Sequence, residues 1–370
     1  MPFDWTTVGQ PPAASELEVT IMGPGFGESI VIHVGDGEWV IVDSCNEPGQ
    51  HRPAPLNYLE ALGINASTAV TTVVATHWDQ DHVKGIGDVI ETCSAAKFSC
   101  ASAFLEDEFQ NYIEVMSIGP QDRGAKDIQK AFNALSDSGR VATPAFAGLT
   151  LLRRVSSVDT QTVRAELRVL SPSEREYHLF LQEIASSMPP IREALRVAVA
   201  RTPNLASVVL ALQWEDCDVL LGADMERREE IDRGWNAVIS TAQSLALRKS
   251  GLVKIPHHGS VNAHQDGMWN ALLIKMPIAT IVPFGKGVGA SRPPTERDVV
   301  RVRSKASELL ITAPHNRTTQ TDRDAGITRS FRESGIRTSS VSKTIGLVRF
   351  RRNVGESWNK TLLGPAFQVP

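Results

Sequence analysis

Short apolar runs alternate with stretches of helical period along most of this 370-residue chain, which predicts strands and helices in alternation. Residues 16–43 read as three short strands, with Gly35-Asp36-Gly37 supplying a tight turn. Residues 54–63 predict a helix that stops at Gly63, a favourable C-cap. The β-branched run Val70-Thr71-Thr72-Val73-Val74-Ala75 predicts a buried strand, and residues 83–90 the start of a helix. Residues 103–136 are mainly helical in pattern, strands return near 148–154 and 163–170, and 173–201 is helical again, interrupted by Pro189-Pro190. Strands near 205–214 and 217–222 precede a long helix predicted over 226–248. A strand ending at Ile255 follows, then helices and strands in turn to about residue 352. No internal repeat or low-complexity tract breaks this order. The pattern is that of an α/β protein.

The apolar runs end in polar residues of metal-binding type. Thr76-His77-Trp78-Asp79-Gln80-Asp81-His82 follows the β-branched strand directly and places four metal-binding side chains within six residues. A loop between a strand and a helix can turn alternate residues into one cavity while its flanks hold them still. Three other strands end in ligand-type residues. Val40-Ile41-Val42 leads into Asp43. Val219-Leu220-Leu221-Gly222-Ala223 leads into Asp224, with a glycine that allows close backbone approach. Leu252-Val253-Lys254-Ile255-Pro256 leads into His257-His258-Gly259-Ser260. Four strand ends carrying such residues predict a site for divalent metal.

This order resembles the metallo-β-lactamase superfamily of hydrolases, and the resemblance covers most of the chain. In detail it is most similar to the soluble catalytic domain of ComEC-type DNA-uptake proteins and their stand-alone relatives. The motifs that carry this likeness are His77-x-Asp79-x-Asp81-His82, Leu221-Gly222-Ala223-Asp224 and Ile255-Pro256-His257-His258-Gly259-Ser260, with Asn204-Leu205-Ala206-Ser207 ahead of an apolar strand. The resemblance implies a four-layer αβ/βα sandwich, the metallo-β-lactamase fold, as one domain over residues 1–370 with helical insertions at about 103–136 and 173–201. It places His77 and Asp79 on a first metal, and Asp81, His82 and one of His257 or His258 on a second, with Asp224 bridging. Asp43 is expected to brace the loop rather than to bind metal. The chain departs from the family in three places. Asp79 stands where the loop usually has histidine. Asn204 and Ser207 replace the third-motif histidine. Arg292 stands where the ComEC-like branch carries the histidine of Gly-His-Pro. Asp81, His258 and Arg292 are the residues expected to act on reacting groups, Arg292 by contacting an anion.

The implied cofactor is one or two divalent ions, zinc or manganese, since a carboxylate-rich set suits the harder ion as well. Two such ions stabilise the attacking and leaving oxygens of a phosphodiester. The implied substrate is therefore nucleic acid or a nucleotide; alternatives are ester, thioester or lactone hydrolysis, or a degenerate member that binds metal without turnover. Charge bears on this modestly: net −4 for the chain, but 15 basic and 6 acidic side chains over residues 284–352. That stretch could attract a phosphate backbone or form an ordinary solvated face. No apolar run is long enough to cross a bilayer and no signal peptide is evident, so no membrane partner is expected. The four cysteines lack paired spacing and predict free thiols in a reducing cytoplasm. Trp78 either packs under the loop, covers the metals or stacks on a base, Cys45 either packs or approaches the site, and His178 reads as a surface residue. His264, His315 and the helically spaced Arg192, Arg196 and Arg201 are outside candidates.

Overall fold

The computed structural model describes residues 2–24, 27–47, 49–118, 123–155, 162–187, 203–284, 292–314 and 345–370. Its strands, in chain order, begin with β1 (Leu17–Pro24), β2 (Ser29–His33), β3 (Trp39–Val42), β4 (Val70–Ala75), β5 (Lys97–Ala101), β6 (Thr143–Ala145), β7 (Thr150–Val155) and β8 (Val163–Val169). They continue with β9 (Leu210–Trp214), β10 (Cys217–Leu221), β11 (Ser250–Lys254), β12 (Leu273–Ile281), β13 (Glu308–Ile311), β14 (Ile345–Arg352), β15 (Asn359–Leu363) and β16 (Phe367–Val369). One sheet has the order β15-β14-β1-β2-β3-β4-β5-β6, the other β16-β13-β12-β11-β10-β9-β8-β7. The first sheet is antiparallel from β15 to β3 and parallel from β3 to β6; the second is antiparallel from β7 to β10 and parallel from β10 to β13, with β16 antiparallel on the outer edge of β13. The parallel part starts at the β3–β4 pair in the first sheet and at the β10–β11 pair in the second.

Period-2 alternation decides what each strand buries. In the second sheet Leu210, Leu212, Val219, Leu221 and Leu252 join the core between the sheets. Their neighbours Ala211, Leu220 and Val253 face outward, onto Trp235, Val238, Met268, Trp269 and Val302 of the covering helices. On the first sheet, Leu56, Leu59, Ile86, Val89 and Ile128 bring helices into the larger core. Helix, sheet, sheet, helix is the αβ/βα sandwich the sequence predicts.

Three local expectations change. The helix after the metal-type loop begins inside it, at Gln80–Val83, and breaks at Lys84-Gly85 before resuming as Ile86–Thr92. Gly85 is left-handed (φ 78°), and a Cβ there would meet Asn46 Oδ1 at 2.8 Å. The predicted 226–248 helix is shorter, Gly234–Ser244. Residues 226–233 form a loop instead, because Asn236 Nδ2 donates to the carbonyls of Arg228 and Glu230, which a continuing helix would use internally. Between 205 and 214 a short 3₁₀ turn, Pro203–Ala206, takes the first residues and the strand starts at Leu210. Helices Asp107–Ile118, Arg123–Asp137 and Glu174–Ser187 occupy the expected helical stretches. His315, Arg192, Arg196, Arg201 and most of the basic 284–352 stretch lie outside the described residues.

Candidate metal centre

Adjacent parallel strand ends from the two sheets face one another at the seam of the sandwich, the usual place for a ligand crevice in α/β folds. From the first sheet, β3 leads into Asp43 and β4 into the His77–His82 loop; from the second, β10 leads into Asp224 and β11 into His258. Four of these corner residues hold left-handed backbone: Asp43 (φ 58°), Ala223 (φ 44°), His257 (φ 46°) and His258 (φ 55°). For residues with a Cβ this costs roughly 1–3 kcal/mol each, and such strain clusters where function fixes the chain.

The hydrogen bonds behind the site fix three imidazoles. His258 Nδ1 donates to the Val282 carbonyl at 3.0 Å, and His82 Nδ1 to Asp43 Oδ2 at 2.7 Å. Thr76 has one hydroxyl proton, and it goes to Asp43 Oδ2 at 2.8 Å. Its oxygen must therefore accept from His77 Nδ1, 3.0 Å away. All three rings thus carry hydrogen on Nδ1 and leave Nε2 to take a proton or a metal. Each of those Nε2 atoms, like Asp224 Oδ1, is buried without a hydrogen-bond partner among the described residues.

Their spacing fits an ion. Donors held ~2.0–2.2 Å from one tetrahedral ion stand roughly 3.3–3.6 Å from each other. His258 Nε2 lies 3.3 Å from Asp81 Oδ2 and 3.5 Å from Asp224 Oδ2, and His82 Nε2 lies 3.4 Å from Asp224 Oδ1. His77 Nε2 is 3.9 Å from both Asp224 Oδ2 and Asp79 Oδ2, a wider set. Two groups could hold metal: Asp81, His82 and His258, and His77, His82 and Asp224. A third, Glu28, Asp43 and His82, lies behind the rings. Asp79 is half-exposed at the rim.

Charge in the site is strongly coupled. Burial alone would depress His82, but the carboxylates of Asp224, Glu28 and Asp43 outweigh it and hold its pKa well above the ordinary value. His258 is raised for the same reason, burial being overcome by Asp224 and Asp81. His77 goes the other way, lowered by burial and by the neighbouring His82. Burial would raise Asp81 and Asp224, yet both are lowered: His258 and His82 act on each, and Lys254 on Asp224 as well. Asp81 and Asp224, both held ionised, supply the negative charge that a cation needs, and the three Nε2 atoms offer lone pairs to it once their protons leave.

The remaining candidates separate from this group. His257 turns its Nδ1 to Glu226 (3.5 Å) and keeps Nε2 at 4.0 Å from Asp224. Asn204 donates to Glu226 at 3.1 Å, and Ser207 Oγ is buried without a partner among the described residues. Arg292 sits beside Pro293, whose carbonyl accepts from Phe284 N, and the Phe284 ring is 5.1 Å from that of His258. Its Nε is buried and unpartnered among the described residues. Trp78 packs edge-on against Phe109 and Tyr112. Cys45 is fully buried, and burial pushes its thiol pKa up. His178 is exposed, and His264 faces Asp266 and Trp269.

Sequence reasoning missed Glu28, Lys254 and Glu226. Lys254 had a signal: a charged residue at the alternate position to Leu252 in an apolar strand must point into the core. Glu28 had none, because its place is set by the close approach of Gly27 in three dimensions. Gly27 passes so close to the loop that a Cβ there would meet the Asp81 carbonyl oxygen at 1.9 Å.

Residues 22–108 match the family model described as the metallo-beta-lactamase superfamily. That span carries Glu28, Asp43 and the whole His77–His82 loop, and the match supports the superfamily expected from the sequence. Among solved structures the chain is similar to the metallo-beta-lactamase fold protein YhfI from Bacillus subtilis, at 9% identity over 81% of this chain and 97% of that one, with a TM-score of 0.40. It is also similar to a metallo-beta-lactamase from Cronobacter sakazakii, at 12% identity over 67% and 79%, with a TM-score of 0.34. No curated protein matches. Among the described residues no helix is long and apolar enough to cross a membrane.

Proposed function

We propose that this chain is a metal-dependent hydrolase of phosphodiester bonds, acting on nucleic acid or a nucleotide and related to the ComEC-type branch of the superfamily. The observation that carries the metal-dependent part is the convergence of three buried Nε2 atoms on Asp81 and Asp224, with every Nδ1 already engaged. His77, His82, Asp81, Asp224 and His258 would hold one or two divalent ions, zinc or manganese, with Asp79 at the rim of the wider set. His258, rather than His257, is the ligand of the pair in this reading.

Divalent ions held there would supply a nucleophile at neutral pH and would stabilise the two oxygens exchanged at phosphorus. The chain's own part is positioning. Asp43 holds the His82 ring and the Thr76 hydroxyl, and Thr76 in turn orients His77. The Val282 carbonyl fixes His258. Asp224 faces all three imidazoles and Asp81 faces His258, so both carboxylates stay ionised to meet positive charge. In this reading Arg292, whose Nε is buried without a partner among the described residues, would contact a phosphate oxygen. The wider set of His77, Asp79 and Asp224 has two carboxylates to one imidazole, which suits a hard cation and supports phosphodiester chemistry. A reducing cytoplasm is the proposed setting, supported by four buried free thiols.

The test uses metal-free protein reconstituted separately with Mn²⁺ and Zn²⁺. Bis-(p-nitrophenyl) phosphate, single- and double-stranded DNA and a lactone are assayed in parallel, with Asp81→Ala/His82→Ala as control. Metal-dependent phosphodiester cleavage absent from the control is the expected result. Lactone turnover without phosphodiester cleavage would replace the reading with acyl hydrolysis.

A further inference from the structure

Beneath the metal-facing groups lies a second, fully buried cluster of opposite charge. Lys254 ends β11, and because Leu252 faces the inter-sheet core, period-2 alternation sends Lys254 to the same side. Its ammonium meets Glu28 Oε1 at 2.5 Å, donates to the Ala223 carbonyl at 3.1 Å, and stands 3.8 Å from Asp224 Oδ1. Both side chains are buried: Lys254 is 0% and Glu28 is 2% exposed. Glu28 is equally engaged. Its backbone N–H donates to the Asp81 carbonyl at 2.8 Å, and its carboxylate lies 3.8 Å from His82 Nδ1 and 3.9 Å from His258 Nδ1.

These contacts make one continuous link between the two halves. It runs from the Asp81 carbonyl to Glu28 N–H, along the Glu28 side chain to Lys254, and from Lys254 to the carbonyl of Ala223, the left-handed residue next to Asp224. Beside His77 a separate bond from Val208 N–H to the Thr76 carbonyl joins the halves at 2.9 Å. At the Asp81–Asp224 end the ion pair does so. Stability is a poor reason for it. Desolvating two charges costs several kcal/mol per ion, and apolar replacements of similar volume are often neutral or stabilising.

We infer that Glu28 and Lys254 are positioning residues: a metal-independent strap that sets the spacing of Asp81 and Asp224 and so the affinity of the site for divalent ions. This rests on the metal-hydrolase reading above. The pair is neutral as a unit, so replacing both members leaves the net charge around the metal-facing groups unchanged. What changes is the link.

The test is metal affinity of the full chain by competition with a chromophoric chelator, for Mn²⁺ and Zn²⁺, in wild type and in Glu28→Met/Lys254→Met. The metal-free unfolding midpoint of each is measured alongside. A ten-fold or greater loss of affinity with an equal or higher metal-free midpoint is expected, the size seen when a group orienting a ligand is lost. Affinity within two-fold of wild type in the folded double variant overturns the strap. Wild type that binds neither metal instead removes the metal-hydrolase reading. Should the double variant not fold, hydrogen exchange on metal-free wild type decides. The amides of Glu28 and His257, which donate to the Asp81 and Ala223 carbonyls, are expected to be protected before metal is added. Protection that arises only on adding metal overturns the strap.

Discussion

The two halves of the sandwich bring ligand-type groups to the same crevice by different means. The first half concentrates them: His77, Asp79, Asp81 and His82 sit in one short loop after β4, braced by Asp43 from the neighbouring strand. The second half disperses them. Asp224 and His258 come from separate strands, each delivered by a left-handed corner at Ala223 or at His257-His258. A loop can aim several side chains cheaply because its own short helix, Gln80–Val83, turns Asp81 and His82 inward together. A lone residue at a strand end needs a strained backbone and an outside clamp to hold its direction. The difference predicts where each half will break.

The largest effects come from removing donors, and they test whether the halves are equal partners. Asp224→Ala should abolish metal binding as completely as Asp81→Ala/His82→Ala, because Asp224 faces His77, His82 and His258 at once. Loss in titrations should exceed the ~10–100-fold typical of outer partners. Residual tight binding in Asp224→Ala would show that Asp81, His82 and His258 hold an ion without Asp224.

Backbone clearance gives the next effect, and it separates the halves. A Cβ on Gly27 would lie 1.9 Å from the Asp81 carbonyl, a backbone atom that cannot move without dragging the loop. On Gly222 it would meet the Lys254 carbonyl at 2.9 Å, a milder overlap. Gly27→Ala should therefore destabilise by the upper part of the ~1–3 kcal/mol range for overpacking or beyond it, and Gly222→Ala by the lower part. Urea unfolding of both variants measures the order; a reversed order would mean that the loop yields more easily than the strand corner.

The same contrast explains how much was legible in the sequence. Concentrated residues announce themselves, so the His77–His82 loop was readable from spacing alone. So were the strands that deliver Asp43, Asp224 and the paired histidines, because β-branched runs with polar ends have few other uses. Glu28 was not readable, since its place depends on Gly27 crossing over the loop. Nor was the 226–233 loop, where helix-forming residues yield to Asn236, which takes the carbonyls of Arg228 and Glu230. Asn204 and Ser207 stood in the sequence only as poor ligands. The structure gives Asn204 a task, holding Glu226.

Asp43 tests the bracing directly. Asp43→Asn keeps the shape but loses the carboxylate that accepts from His82, Thr76 N and the Thr76 hydroxyl. A ~10–100-fold fall in metal affinity with the fold retained is expected. An unchanged affinity would move the burden of orienting His82 to Glu28.

Acidity should separate the metal-free from the metal-loaded protein. His82 and His258 are raised above their ordinary 6.5, so their contribution to folding is complete below that pH and is lost as pH rises through their folded values. Asp81 and Asp224 are lowered from 3.8, so theirs is present above that pH and lost as the medium becomes more acid. His77, held neutral, offsets part of the histidine gain on the acid side. The metal-free chain should thus be most stable between about 3.8 and 6.5 and weaken toward pH 8.5. Metal affinity should rise over that same upper interval, because ions displace the Nε2 protons. Melting curves with and without Mn²⁺ at pH 6 and 8.5 would expose the opposite trends, and parallel trends would contradict the shared use of Nε2.

The smallest effect is expected at His257, and it is the sharpest test of how the second half aims its residues. The paired histidines occupy consecutive left-handed positions, so their side chains diverge: His258 into the group with Asp81 and Asp224, His257 toward Glu226 at the mouth. Gln in place of His257 can still donate to Glu226 from its side-chain amide and leaves the backbone N–H to the Ala223 carbonyl intact. Metal affinity of His257→Gln should therefore stay within about three-fold of wild type, well below the ~10–100-fold scale of an orienting partner. His258→Gln should lose far more, since Nε2 is the only atom it presents to Asp81 and Asp224. Equal losses in the two variants would mean that the corner swings both rings into the site when metal binds, and the second half would then be less rigid than its clamps imply.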